Sequence, residues 1–121
     1  MTMTVLTVDD SRTMRDMLRM ALTGAGFHVT QAEDGVHGLE VLSQGMPRVI
    51  VTDINMPRMD GFGFIEAVRS QPQYKAIPIL VLTTESDDAK KMRARQAGAT
   101  GWIVKPFDPD KLVAAVRRVA V

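Results

Sequence analysis

Five polar side chains stand where short apolar runs stop, and their types suit chemistry on a phosphoryl group. Asp9 and Asp10 follow "TVLTV", Asp53 closes "VIVTD", Thr83 ends "PILVLT", and Lys105 follows "GWIV". A carboxylate at the end of a buried run is costly to desolvate, so something must compensate it or use it. If Asp9, Asp10 and Asp53 share one cleft, each pair repels by roughly 4 kcal/mol at 4 Å and an effective dielectric of about 20. The cleft then needs a cation. Carboxylate and carbonyl oxygens are hard ligands, and a few of them with room left for water suit Mg²⁺ better than Ca²⁺. Lys105 adds a positive charge and Thr83 a rotatable hydroxyl donor. The formal charges nearly balance, about −3 from the acids against about +3 from Mg²⁺ and Lys105. A carboxylate in such a site can attack phosphorus and form an acyl phosphate, with metal and lysine neutralising the transferring oxygens. Asp53, at the end of an internal run, is the expected nucleophile; Asp9 and Asp10, side by side, are expected to hold metal.

These residues need a scaffold that brings their run ends together. Short β-branched runs at 4–8, 27–31, 49–53, 77–83 and 101–104 alternate with segments of helical period at 11–23, 35–43, 62–70, 87–96 and 109–121. In the first helical segment Met14, Met17, Leu18, Ala21 and Leu22 recur at spacings of three and four behind a Ser11 cap, and Gly24 and Gly26 follow it. In the last, Pro109 suits the first turn and Leu112, Val113, Val116 and Val119 or Ala120 form the apolar stripe. "VIVTD" and "PILVLT" are apolar nearly throughout, as parallel strands covered on both faces are. The expected fold is therefore α/β, a doubly wound five-stranded parallel sheet. Right-handed crossovers place all strand C-terminal ends on one edge, where ligands of open α/β sheets sit. Adjacency of the first and third strands would gather the three aspartates.

Composition excludes several other classes. The 121 residues are 45% hydrophobic and 24% charged, which suits one domain with its own core. The formal net charge of +1 comes from 15 basic and 14 acidic residues without a basic block, so no nucleic-acid partner is expected. Cys is absent, which removes disulfides and thiolate metal sites. The first apolar run ends at Val8, too short for a signal-peptide core or a membrane span. A cytoplasmic monomer with no membrane contact is expected.

Taken singly, each position has a bland reading. Asp9 and Asp10 could be acids at a helix start, Asp53 with Pro57 and Gly61 plain turn chemistry, Thr83 a cap, Lys105 a solvated lysine and Trp102 core. His28 and His37 show no ligand spacing. The four segments "VDDSR", "VTDINMPRMDG", "VLTTES" and "GWIVKPF" occur together, however, and in this order the chain resembles the receiver domains of two-component response regulators, above all the single-domain, CheY-like chemotaxis type.

That resemblance covers essentially the whole chain. It implies a flavodoxin-like (βα)₅ fold with strand order 2-1-3-4-5 and one receiver domain over residues 1–121 without an output domain. Asp53 would receive a phosphoryl group from a phosphohistidine on a sensor histidine kinase of the chemotaxis type. Asp10, Asp53 and the backbone carbonyl of Asn55 would ligate Mg²⁺, with Asp9 acting through water. Thr83 and Lys105 would bind phosphoryl oxygens, and the peptide bond from Lys105 to Pro106 would be cis. Thr83 and Trp102 would form the switch that alters the surface of the fourth helix, fifth strand and fifth helix, where a protein target would dock. Asn55 and Glu85 flank the site and would tune attack by water.

Three departures stand out. Trp102 replaces the usual Tyr or Phe, Thr84 a frequent Ala, and Asp87 and Asp88 stand where motor-binding members carry lysines. A phosphate-sink role is thus an alternative to a target-binding one. A Mg²⁺-dependent aspartyl phosphohydrolase of the haloacid-dehalogenase kind is a further alternative. It would place a D-x-D pair after the first strand, where this chain has Asp9-Asp10-Ser11, and would need a cap domain. A receiver kept only as a binding module is disfavoured by the complete acid, Thr and Lys set.

Overall fold

A computed structural model describes residues 2–120. Five strands, β1 (Thr4–Val8), β2 (His28–Ala32), β3 (Val49–Thr52), β4 (Ile79–Thr83) and β5 (Gly101–Val104), alternate with five α-helices. The helices are α1 (Arg12–Gly24), α2 (Gly35–Gln44), α3 (Gly61–Arg69), α4 (Asp88–Ala97) and α5 (Pro109–Val119). All strands are parallel in the order β2-β1-β3-β4-β5, which is the expected topology.

The burial pattern follows from that order. β3 and β4 lie inside the sheet and every one of their residues is buried, whereas β2 and β5 form the edges and are mostly half-exposed. Along the inner strands successive side chains alternate between two cores. Leu6, Ile50, Ile79 and Val81 pack with Leu42, Phe64, Ile65, Val68 and Ala94 of α2, α3 and α4. Val5, Val51, Leu80 and Leu82 pack with Leu18, Leu22, Leu112 and Val116 of α1 and α5. Each such Leu, Ile, Val or Phe contributes roughly 1.5–3 kcal/mol relative to an exposed position.

Several expected boundaries shift for identifiable reasons. β3 ends at Thr52, so Asp53 is the first residue past the strand rather than its last, although its N–H still donates to Val8 O at 2.9 Å. β4 starts at Ile79 rather than at residue 77, because Pro78 has no N–H to give a ladder. β2 runs one residue later than expected, since Phe27 donates to Leu22 O and closes the α1 terminus instead. Ser11 caps α1 by accepting from Met14 N–H, as its position suggests. Met17 does not join the buried stripe of α1 and is 47% exposed. It lies roughly 120° around the helix from the direction shared by Leu18 and Leu22. A 3₁₀ turn at Pro72–Tyr74 was not expected from the sequence. Val121, included in the last expected helix, lies outside the described residues.

Candidate functional site

The register of the inner strands builds the site. Val8 pairs with Ala32 on one side and with Thr52 on the other, so the residues that follow β1 and β3 emerge together at the C-terminal edge. Asp9 N–H donates to Ala32 O at 3.0 Å while Asp53 N–H donates to Val8 O, which sets the two aspartates side by side. Two strands away, Lys105 N–H donates to Thr83 O at 2.8 Å and carries the lysine just past β5. Its peptide bond to Pro106 is cis.

From that position Lys105 Nζ reaches Asp9 Oδ2 and Asp53 Oδ2, both at 2.9 Å. All three side chains are at most about a tenth exposed. The remaining oxygens are also engaged: Asp9 Oδ1 accepts from Ser11 N–H at 2.9 Å and Asp53 Oδ1 from Ile54 N–H at 2.7 Å. Asp10 is exposed, yet one oxygen from each of Asp9, Asp10 and Asp53 can be found within 4.8 Å of the others. Three carboxylates against one ammonium leave a net charge of −2, which matches a divalent cation. The donor set is all oxygen, few in number and open to water on the Asp10 side, so it fits a small hard ion such as Mg²⁺.

The titration behaviour reflects this crowding. Burial raises the Asp9 pKa above the ordinary carboxylate value, and hydrogen bonds from Lys105 and Ser11 only partly offset it. For Lys105 burial acts downward, but its bonds to Asp9 and Asp53 prevail and the ammonium is held above its usual value.

Thr83 is fully buried at the end of β4, with its Oγ1 accepting from Glu85 N–H at 3.4 Å. Glu85 ties the loop after β4 to its neighbours. Its carboxylate accepts from Asn55 Nδ2 at 3.1 Å and pairs with Lys90 of α4 at 3.1 Å, which lowers its pKa. Its carbonyl accepts from Trp102 Nε1 at 3.0 Å. Trp102 is half-buried, so its ring packs on the core while its N–H closes this loop. Asp87 is the N-cap of α4 and accepts from Ala89 N–H.

The structure thus brings Asp9, Asp10, Asp53 and Lys105 into one cluster, and Asn55, Thr83, Glu85 and Trp102 are linked to one another through the loop after β4. Arg15 borders the site and the Asp34–Arg58 pair ties the loop after β2 to the loop after β3; none of the three carried a sequence signal. Arg15 Nη1 donates to Asp9 O at 2.7 Å and so fixes the turn after β1. Arg58 pairs with Asp34, two residues past β2. A surface arginine in a turn and an aspartate before a helix look unremarkable until the fold sets their loops side by side.

An open parallel sheet with a cluster of acids at its carboxyl edge, paired with one lysine just past the last strand, defines a signalling receiver class. Residues 5–117 match the response regulator receiver domain, and the chain belongs to that family. It is 41% identical over 116 residues to the probable chemotaxis protein CheY of Rhizobium etli, covering 95% of this chain and 90% of that protein. It is 42% identical over 112 residues to chemotaxis protein CheY1 of Helicobacter pylori, covering 91% of this chain and 90% of that one. Among solved structures, chemotaxis protein CheY4 of Vibrio cholerae superposes with a TM-score of 0.94 at 46% identity, over 98% of this chain and 99% of that one.

Proposed function

We propose that the protein is a phosphorylation-activated chemotaxis receiver whose phosphoacceptor is Asp53. The observation that carries this reading is the single ammonium of Lys105 held between Asp9 and Asp53 at 2.9 Å, with Asp10 adjoining. An Asp53 oxygen forms a bond to phosphorus as the P–N bond of a kinase phosphohistidine breaks, and the electron pair stays on the imidazole nitrogen. Lys105 follows the charge from the Asp53 oxygen to a phosphoryl oxygen. Thr83, released from Glu85 N–H, turns its hydroxyl to another. Asp10, Asp53 and the Asn55 carbonyl would hold Mg²⁺, which when bound would neutralise charge on the transferring oxygens. Asp9, as in the receiver family this chain belongs to, would act on the ion through water.

Signalling then runs through Glu85. A moving Thr83 disturbs the loop whose carbonyl anchors Trp102 and whose carboxylate holds Lys90 of α4. Ala94 is the buried residue of α4, so this helix can shift at modest cost. The face formed by α4, β5 and α5 would present the change to a protein target. No described helix is long and apolar enough to cross a membrane.

The test is to incubate the protein with acetyl phosphate and Mg²⁺ and record the intact mass. A one-phosphoryl adduct that hydroxylamine removes and Asp53→Asn abolishes is expected. Repeated turnover of unrelated phosphoesters would point to a hydrolase, and no adduct at all to a binding module.

A further inference from the structure

We infer that Arg58, paired with the buried Asp34, is a positioning residue for the metal site, acting through the loop between β3 and α3. This deepens the proposed function, since it rests on the Asn55 carbonyl serving as a ligand on that loop.

Arg58 has φ of 63°, and it is the sole non-glycine residue with positive φ among those described. That region is unfavourable for a long side chain and is ordinarily left to Gly, Asn or Asp. Something must hold the arginine there. Its Nε donates to Asp34 Oδ2 at 2.8 Å and its Nη2 to Asp34 Oδ1 at 3.0 Å, a forked pair in which the carboxylate is almost wholly buried and the guanidinium half-exposed. The bond lowers the Asp34 pKa and raises that of Arg58.

Asp34 is itself anchored to α2. It is the N-cap of α2 and accepts from His37 N–H at 2.8 Å. Backbone contact reinforces the pair: Gly35 N–H donates to Met59 O at 3.1 Å, and a Cβ on Gly35 would come within 2.6 Å of the Met59 side chain. Among the described residues, side-chain hydrogen bonds hold residues 55–59 at two places, Asn55 to Glu85 and Arg58 to Asp34. The first belongs to the moving side of the site. The second fastens the loop to the N-cap of α2. Arg58 therefore sets where the Asn55 carbonyl lies without touching the ion, the role that outer groups play around many metals.

The test is calorimetric titration of Mg²⁺ alone into the parent, Arg58→Gly, Asp34→Asn and the double variant. Arg58→Gly removes the guanidinium but accepts positive φ, and Asp34→Asn keeps a competent helix cap, so each variant retains the local backbone preference. Each single variant is expected to weaken Mg²⁺ binding about tenfold, and the double variant no more than either single one. A purely structural role would lower the melting temperature and leave the Mg²⁺ dissociation constant within about twofold of the parent, which would overturn the inference. Additive losses would overturn it too, because the two residues would then act separately. A parent that binds no Mg²⁺ would instead sink the proposed function, and this inference with it.

Discussion

Asp9 and Asp34 invite comparison because they are nearly the same residue in the same place. Each lies one or two positions past a strand, those strands are paired neighbours, and the two residues are only 1% and 3% exposed. Their environments push in opposite directions. Asp34 has a guanidinium to itself and a helix N–H besides, so its carboxylate is held below the ordinary value despite burial. Asp9 shares one ammonium with Asp53, has Asp10 alongside, and is held above it by burial. The first is a carboxylate fully compensated by the protein, and the second is left short of one cation. A fold that can compensate a buried acid so well after β2 leaves the one after β1 incomplete, a shortfall that a divalent ion would fill.

The largest expected effect comes from removing the compensated acid. Asp34→Ala leaves α2 uncapped and the Arg58 turn unsupported, and should cost about 2–3 kcal/mol, seen as a fall in melting temperature on the order of 10 °C. Asp9→Asn should do the reverse without metal, raising stability by about 1 kcal/mol, because a desolvated charge becomes a neutral isostere. Saturating Mg²⁺ should then erase the variant's advantage, since the parent gains more from binding. Melts with and without Mg²⁺ decide it. A variant no more stable than the parent in the metal-free melt would break the comparison.

The two acids should also differ with pH, read by chemical denaturation without metal. Asp34 has a depressed folded value, so its contribution is fully present above the unfolded value of 3.8 and is lost as pH falls through the folded one. Asp9 has a raised folded value, so its penalty is absent below 3.8 and grows as pH rises through the folded one. The gap between parent and Asp34→Ala should stay constant above that value, while the advantage of Asp9→Asn should build over the weakly acidic range.

How much of this was legible in the sequence divides along the same line. The sheet was readable because β3 and β4 are apolar up to their final Thr and because Ser11 and Pro109 mark helix starts. Asp9, Asp10, Asp53, Thr83 and Lys105 were readable because polar residues at the ends of buried runs have few structural uses. Asp34 and Arg58 carried no signal, since a local pattern cannot show that two loops 24 residues apart touch. Met17 was misplaced because a spacing of three or four residues admits a wider stripe than Leu18 and Leu22 bury. Glu85 carried its meaning mainly in its backbone, whose carbonyl receives Trp102, and backbone partners leave no mark on side-chain type.

The smallest effect sharpens the comparison by lying outside it. Trp102→Phe deletes a neutral hydrogen bond to the Glu85 carbonyl at 3.0 Å and leaves a ring on the core. The expected cost is about 0.5–1.5 kcal/mol, the usual net worth of such a bond. Neither Asp9 nor Asp34 accepts a hydrogen bond from Trp102, so both pH signatures and the stabilisation by Mg²⁺ should keep their size in the variant. The bond to Glu85 does reach the loop behind Thr83, so the variant should differ in how fast the phosphoryl adduct decays, followed by intact mass after the donor is removed. Circular dichroism must replace fluorescence for the melts, as the chain has a single Trp. An altered Mg²⁺ stabilisation would mean that the loop after β4 and the acid pocket are one cooperative unit, and that Asp9 owes its shortfall to more than the residues touching it.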